Sequence, residues 1–93
     1  MKAIWNGKVI AESDKTINIE GNQYFPKESI NKEFFNSSNL KTTCHWKGEA
    51  SYFNVAVDGK ENKDAAWYYP NPSGLADKIK DYVAFWRGVE IQK

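Results

Sequence analysis

The feature that most restricts the fold is a predicted β-hairpin in the middle of the chain, centred on Asp58-Gly59. An Asp-Gly pair readily adopts the positive backbone φ angles of a tight hairpin turn. The preceding segment, Ser51–Asp58, has the clearest two-residue alternation in the chain. The return strand is predicted over Asp64–Tyr69, because two prolines follow it. The apolar face of the first strand would carry Phe53, Val55 and Val57.

The N-terminal part of the chain is predicted to add three short strands. Asn6-Gly7 is a second hairpin signal, and it would join Lys2–Trp5 to Lys8–Ala11. Thr16–Glu20 also alternates, and Gly21-Asn22 would close it. These strands are predicted to form a meander.

Between these strands and the central hairpin, the pattern predicts a helical turn, a loop and a strand. Ser29 could cap the helical turn, since serine oxygens accept hydrogen bonds from the first backbone N–H groups of a helix. Asn36–Asn39 has the composition of a loop. Leu40–Trp46 is predicted to be a strand, with Lys47-Gly48 as its turn.

The C-terminal segment fits two patterns. An apolar stripe at helical spacing begins at Leu75, whereas Val83, Phe85 and Val89 fit a strand face equally well. Because β-branched and aromatic residues become more frequent after Asp81, we predict a short helix over residues 74–80 followed by strand. Gly88 would mark a turn before the last strand. The predicted fold class is therefore mainly β, a compact antiparallel β domain with one or two short helices.

Size and charge narrow the classes of function. The 93 residues are enough for one domain, residues 1–93, that is monomeric or homodimeric. Thirteen basic and twelve acidic residues give a net charge of +1, which provides no strong field for nucleic acid or an anionic membrane. No apolar run is long enough for a signal peptide or a membrane span, and a single cysteine fits a reducing compartment. We expect a soluble cytoplasmic protein.

Two aromatic segments flank the central hairpin and should meet in space. The first contains Trp46 and Tyr52, and the second contains Trp67 and Tyr69 on one strand face. Tryptophan and tyrosine combine a flat apolar body with a polar tip, which suits a cleft that stacks a planar or cationic ligand. Lys47 could supply a positive charge there. The same rings would also serve as the core of a small β domain, and the sequence leaves both interpretations open.

Cys44 and Lys47 are the candidate catalytic residues. Cys44 lies beside His45, but adjacent side chains of a strand point to opposite faces, so a thiol–imidazole pair is not expected. A buried structural cysteine is the competing interpretation, because unpaired cysteine is often buried. The chain has no Cys-x-x-Cys or His-x-x-x-His spacing and no phosphate-binding glycine loop. No metal or cofactor is therefore predicted.

Taken together, these motifs resemble the domain-of-unknown-function family 427 over essentially the whole chain. The resemblance implies a tent-like, complex-β fold whose relatives use a cleft between sheets. It places His45 where the family usually has proline. A nucleotidyltransferase label is sometimes attached to the family, but this chain has no paired-carboxylate metal motif. The matching stretches are Ala3–Gly7, Ala11–Ser13, Glu20–Asn22, Tyr24–Pro26, Thr43-Cys44, Trp46–Gly48, Ala50–Phe53, Asp64–Pro70, Ile79–Asp81 and Val83–Trp86.

Two hypotheses follow for the function. The first is a small binding domain for a small molecule or peptide, which uses Trp46, Lys47, Tyr52, Trp67 and Tyr69 as an aromatic cleft. The second is an enzyme that uses Cys44 or Lys47 in the same cleft, by thiol chemistry or nucleotide-dependent transfer.

Overall fold

Nine β-strands and three short 3₁₀ segments make up the fold in the computed structural model, which describes residues 1–93. None of its helical segments is long and apolar enough to cross a lipid bilayer. The 3₁₀ segments are Lys27–Ser29, Lys32–Phe34 and Gly74–Ile79. The strands are β1 (Lys2–Trp5), β2 (Lys8–Glu12), β3 (Ile17–Ile19), β4 (Asn22–Tyr24), β5 (Phe35–Cys44), β6 (Gly48–Val57), β7 (Lys60–Tyr68), β8 (Val83–Phe85) and β9 (Glu90–Gln92).

The strands form three antiparallel sheets. The largest has the order β5-β6-β7-β8, a second has the order β2-β1-β9, and β3 and β4 form a two-stranded hairpin. The central hairpin predicted around Asp58-Gly59 is present, since Val57 pairs with Lys60 across it. The Asn6-Gly7 hairpin is present as well, with Trp5 opposite Lys8. The prediction of a mainly antiparallel β fold is confirmed.

Several local predictions need correction. Asn36–Asn39 is not a loop but part of β5, where the pairing with β6 shifts register between Ser37 and Lys41. Polar residues can remain in this strand because β5 is the edge of its sheet, and an irregular polar edge discourages pairing with other chains. The strand also ends earlier than predicted, at Cys44, so that His45, Trp46 and Lys47 together form the turn.

The predicted N-terminal meander is also wrong. β3 does not extend the β1–β2 hairpin but pairs with β4, and Ile19 lies opposite Asn22. The turn between them is Glu20-Gly21, both at positive φ, rather than Gly21-Asn22. An X-Gly pair with both residues at positive φ matches the twist of the flanking strands, so β3 closes locally onto β4.

The helical pieces are shorter than predicted and none of them is an α-helix. Ser29 caps nothing; it ends the first 3₁₀ segment, where its hydroxyl donates to the Pro26 carbonyl at 2.6 Å. The helix predicted over residues 74–80 is the 3₁₀ segment Gly74–Ile79, with a kink at Ala76. Pro26 lies before the first segment and Pro72 before the last, and short 3₁₀ turns are common as connectors of this kind.

The four-stranded sheet has an apolar core on each face. Because side chains alternate along a strand, Val55, Ala66 and Phe85 pack into one cluster, whereas Tyr52 and Ala84 pack into another. We call these the first and second core clusters. The first also receives Ala3 and Ile10 from the three-stranded sheet, and the second receives residues of the β3–β4 hairpin. The predicted face of Phe53, Val55 and Val57 belongs to the first cluster.

Replacing Ile10 with alanine tests the first cluster. Ile10 is fully buried, so Ile10→Ala removes buried methylene and methyl groups and leaves a cavity. We expect the free energy of unfolding to fall by about 2–5 kcal/mol, measured by urea denaturation. Leu75→Ala is the control: Leu75 is 82% exposed and its loss should change the free energy by less than about 0.5 kcal/mol. Equal effects of the two substitutions would contradict this description of the core.

Candidate functional site

A cavity of about 210 Å³ opens beside the second core cluster. It receives side chains from β4, β6 and β7, from the turn before β6 and from the segments after β7 and β8. Three tyrosines and two tryptophans form most of its wall, and a lysine and an asparagine complete it. The lining residues are Asn22, Tyr24, Lys47, Tyr52, Trp67, Tyr69 and Trp86.

The backbone around Lys47 is fixed from two sides. Gly48 has φ +107°, which side chains other than hydrogen rarely permit, and an added Cβ would lie 3.2 Å from the Asn71 carbonyl oxygen. The Ser73 N–H donates to the Lys47 carbonyl at 3.0 Å, and the Ser73 hydroxyl donates to the Trp46 carbonyl. The segment after β7 therefore holds the turn that carries Lys47.

Lys47 is an almost completely buried cation, with 6% of its surface exposed. Its ammonium group forms an ion pair with the carboxylate of Glu20. The Nζ atom also lies 4.8 Å from the ring centroid of Trp46 and 5.9 Å from that of Tyr69, within the range of cation–π attraction. Burial alone would lower the pKa of Lys47, but the ion pair and other acidic neighbours outweigh it and raise that pKa. Lys47 is therefore protonated at neutral pH.

Glu20 reaches Lys47 because of its place in the β3–β4 turn. Its φ of +55° belongs to the left-handed region, and Gly21 continues the turn at +83°. The side chain of Glu20 is 55% exposed, so the carboxylate lies at the edge of the cavity and not within it. Its hydrogen bond with Lys47 lowers the pKa of Glu20. The pair leaves the cavity with a positive group inside and a negative group at its mouth.

Two of the three tyrosine hydroxyls of the cavity have partners. Tyr24 accepts a hydrogen bond from Trp67 Nε1 at 3.2 Å, and Tyr52 shares one with the Thr42 hydroxyl at 3.0 Å. Tyr69 has no such bond although only 5% of the residue is exposed. No fully enclosed side-chain oxygen in the protein lacks a partner, so the Tyr69 hydroxyl keeps some contact with solvent, and Tyr69 lines the cavity. It is a free donor and acceptor.

The tryptophans of the cavity wall are held edge to face. Trp67 and Trp86 have ring centroids 5.9 Å apart with planes at 83°, and Tyr24 and Trp67 lie 6.3 Å apart at 87°. Trp86 is fixed further by its indole N–H, which donates to the Asp64 carbonyl. The guanidinium group of Arg87 lies over the Trp86 ring, 4.7 Å from its centroid, and holds that ring as well.

The structure gathers most of the predicted site. Lys47, Tyr52, Trp67 and Tyr69 line one cavity, while Trp46 contacts Lys47 without lining it. Glu20 was not predicted as a site residue. The Glu-Gly turn pattern could have placed it in a hairpin, although not opposite Lys47. Three further lining residues were also not predicted, because they reach the cavity from distant parts of the chain: Asn22, Tyr24 and Trp86.

Cys44, a candidate catalytic residue from the sequence, is not among the residues that line the cavity. Cys44 is half-buried and packs against the second core cluster, and no hydrogen bond joins it to His45. His45 is exposed in the turn, so the strand alternation used in the prediction does not apply to it. The structure brings together no group of three or more His, Cys, Asp or Glu side chains suited to a metal ion.

Comparison with known proteins gives the family. The chain matches the family described as "Domain of unknown function (DUF427)" over residues 1–92. The protein belongs to this family. No curated protein shows significant similarity to the chain. The resemblance recognised from the motifs is thus confirmed, and the family description assigns no activity.

Alkaline pH should reveal the buried tyrosines of the site. Burial raises the pKa values of Tyr24 and Tyr69 above their usual value near 10.0. The unfolded chain loses these protons near pH 10, whereas the folded chain keeps them. The free energy of unfolding therefore has its full value below pH 10 and decreases as the pH rises further. Each such group steepens the fall by up to about 1.4 kcal/mol per pH unit.

Urea denaturation between pH 9 and pH 11.5 measures this slope. For each protein, the free energy of unfolding is expressed relative to its value at pH 7. On this scale, Tyr69→Phe should give a shallower slope than the unsubstituted protein. Tyr24→Phe should act in the same direction, with an additional loss at all pH values because Trp67 Nε1 loses its acceptor. Parallel curves for Tyr69→Phe and the unsubstituted protein would show that the Tyr69 hydroxyl is not held in a buried site.

Proposed function

We propose that the protein is a small binding domain whose cavity takes a small planar molecule through a carbonyl oxygen. The observation that carries the proposal is the pair of unused donors at Lys47 and Tyr69. An ammonium group has three N–H donors, and Glu20 occupies one of them. Lys47 and Tyr69 line the same cavity, and the Lys47 Nζ atom lies 5.9 Å from the centroid of the Tyr69 ring, so one ligand can contact both side chains.

The charge of the site favours a neutral ligand over a strong anion. Glu20 already neutralises Lys47, and an anion would have to compete with that carboxylate. A neutral carbonyl accepts a hydrogen bond from the ammonium group without displacing Glu20. Hydrogen bonds in which the donor is charged are stronger than neutral ones, which supports Lys47 as the principal contact.

The size of the cavity favours a small ligand. A volume of about 210 Å³ lies below the range of about 300–1,000 Å³ that is typical of drug-sized ligands. One ring with its substituents fits this space, and Trp67 and Trp86 in the wall provide apolar contact. A peptide could use the site only by inserting a single side chain.

The state of Lys47 supports binding and not nucleophilic catalysis by this amine. A lysine nucleophile needs a lowered pKa, because only the neutral amine attacks. The pKa of Lys47 is raised instead, and the ion pair with Glu20 occupies the ammonium group. The role supported for Lys47 is that of a fixed hydrogen-bond donor.

A thermal-shift screen with uracil-like imides, cyclic amides, sulfoxides, nucleotides with and without Mg²⁺, and short peptides tests the proposal. A ligand at a hundred times its dissociation constant adds about 2.7 kcal/mol of stability. For a domain of this size, the melting temperature should rise by roughly 10 °C or more. We expect the planar carbonyl compounds to give this shift. Any shift in melting temperature caused by the nucleotides should be the same with and without Mg²⁺.

Substitutions then identify the contacts by isothermal titration calorimetry. Tyr69→Phe should weaken binding by roughly fivefold to tenfold, the effect of one neutral hydrogen bond. Lys47→Met should weaken it by more than about tenfold, because its hydrogen bond is charge-assisted. Tyr68→Phe is the matched control: it removes a hydroxyl from the next residue, which packs on the opposite face of the sheet. An affinity unchanged by Lys47→Met would refute the proposed contact.

A further inference from the structure

A second cavity lies on the other face of the four-stranded sheet. It has a volume of about 320 Å³ and shares no lining residue with the first cavity. Its wall comes from the first core cluster, from the two 3₁₀ segments before β5 and from the turn before β8. The lining residues are Lys27, Ile30, Lys32, Phe35, Phe53, Tyr68, Asp81 and Val83.

Three aromatic rings give this cavity a preformed apolar wall. Phe53 and Tyr68 are stacked, with ring centroids 4.8 Å apart and planes only 23° from parallel. Phe35 lies edge-on to Phe53 at 5.6 Å. All three rings are only partly buried, although they pack against the first core cluster. They therefore present apolar surface to a molecule that enters the cavity, and an aromatic ring can pack on them in an offset-stacked or edge-to-face arrangement.

The charged groups of the cavity are two cations and one anion. Lys27 and Lys32 lie in successive 3₁₀ segments, and neither ammonium group has a carboxylate within 4.0 Å, since the only ion pair of the protein is Lys47–Glu20. Asp81 also lines the cavity and is likewise unpaired. Its backbone is fixed at φ +63°, with its N–H bonded to the Tyr69 carbonyl at 3.0 Å. The net charge of the lining is positive.

We propose that this second cavity binds a planar aromatic molecule that carries one anionic group. The ring lies against Phe53 and Tyr68, and the anion lies between Lys27 and Lys32. The two lysines supply the positive charge that the apolar wall lacks. Because neither lysine forms an ion pair within the protein, an anionic ligand can bind them without breaking one. This site differs from the first cavity, where Glu20 already neutralises the buried lysine. The inference does not depend on the function proposed for that cavity.

Fluorescence titration with 1-anilinonaphthalene-8-sulfonate tests the proposal, because this probe is an aromatic anion whose emission rises in apolar surroundings. We expect saturable binding of one probe molecule at this cavity. The double variant Lys27→Gln/Lys32→Gln should weaken it by about tenfold, since two exposed ion pairs each contribute modestly. Lys60→Gln/Lys63→Gln is the matched control, because it removes the same charge from exposed positions of β7 outside the cavity and should leave the affinity unchanged.

Three further measurements distinguish binding at the proposed site from non-specific binding. Lys47→Met should leave the probe's affinity unchanged, because Lys47 belongs to the other cavity. Asp81→Asn should strengthen binding, because it removes the one negative charge of the lining while asparagine still tolerates a positive φ. The uncharged analogue N-phenyl-1-naphthylamine should bind more weakly, and the lysine substitutions should not alter its affinity.

The proposal fails on either of two results. One is equal affinity of the sulfonate probe for the unsubstituted protein and for Lys27→Gln/Lys32→Gln. The other comes from an NMR titration with the same probe. In that result, amide chemical shifts change around Trp67 and Trp86, and those of Phe53 and Tyr68 do not change. The second result would place the probe in the first cavity.

Discussion

The alternation of side chains along β6 and β7 is the constraint on which the rest of the structure depends. Core clusters lie on both faces of this pair, and its buried side chains are divided between them. Trp67 and Tyr69 point to the second core cluster, and Tyr68 between them points to the first. A shift of one residue in the register would exchange the two sets, which makes the pairing of these strands strongly specified.

Asp64 links this register to the first cavity. Its φ of +57° marks an irregularity in β7, and its N–H donates to the Asn54 side chain in β6 at 3.0 Å. Its carboxylate accepts from the Ser38 hydroxyl in β5, and its carbonyl accepts from the indole of Trp86. One residue therefore joins the irregular parts of three neighbouring strands and also positions a cavity wall. Bulged strands commonly redirect side chains toward binding sites in this way.

The sequence predicted those features that depend on local patterns. Asp58-Gly59 and Asn6-Gly7 carry their turn chemistry in two residues, and the alternation of Phe53, Val55 and Val57 needs only one strand. Asn36–Asn39 was misassigned because a polar composition is typical of loops, whereas an edge strand tolerates it for reasons of topology. The Glu20–Lys47 pair was not predictable, because 27 positions separate its members and only the placement of two turns brings them together.

The buried charge of Lys47 explains why the two cavities differ chemically. A cation that is withdrawn from water must be paired, and Glu20, Trp46 and Tyr69 stabilise it within the protein. The first cavity, which Lys47 lines, therefore provides hydrogen-bond donors but little net charge. Lys27 and Lys32 lie on the surface, where water stabilises them without a partner, so their cavity keeps its positive charge. Because the sheet separates these environments, the two cavities of one small domain differ in charge and in hydrogen-bonding groups.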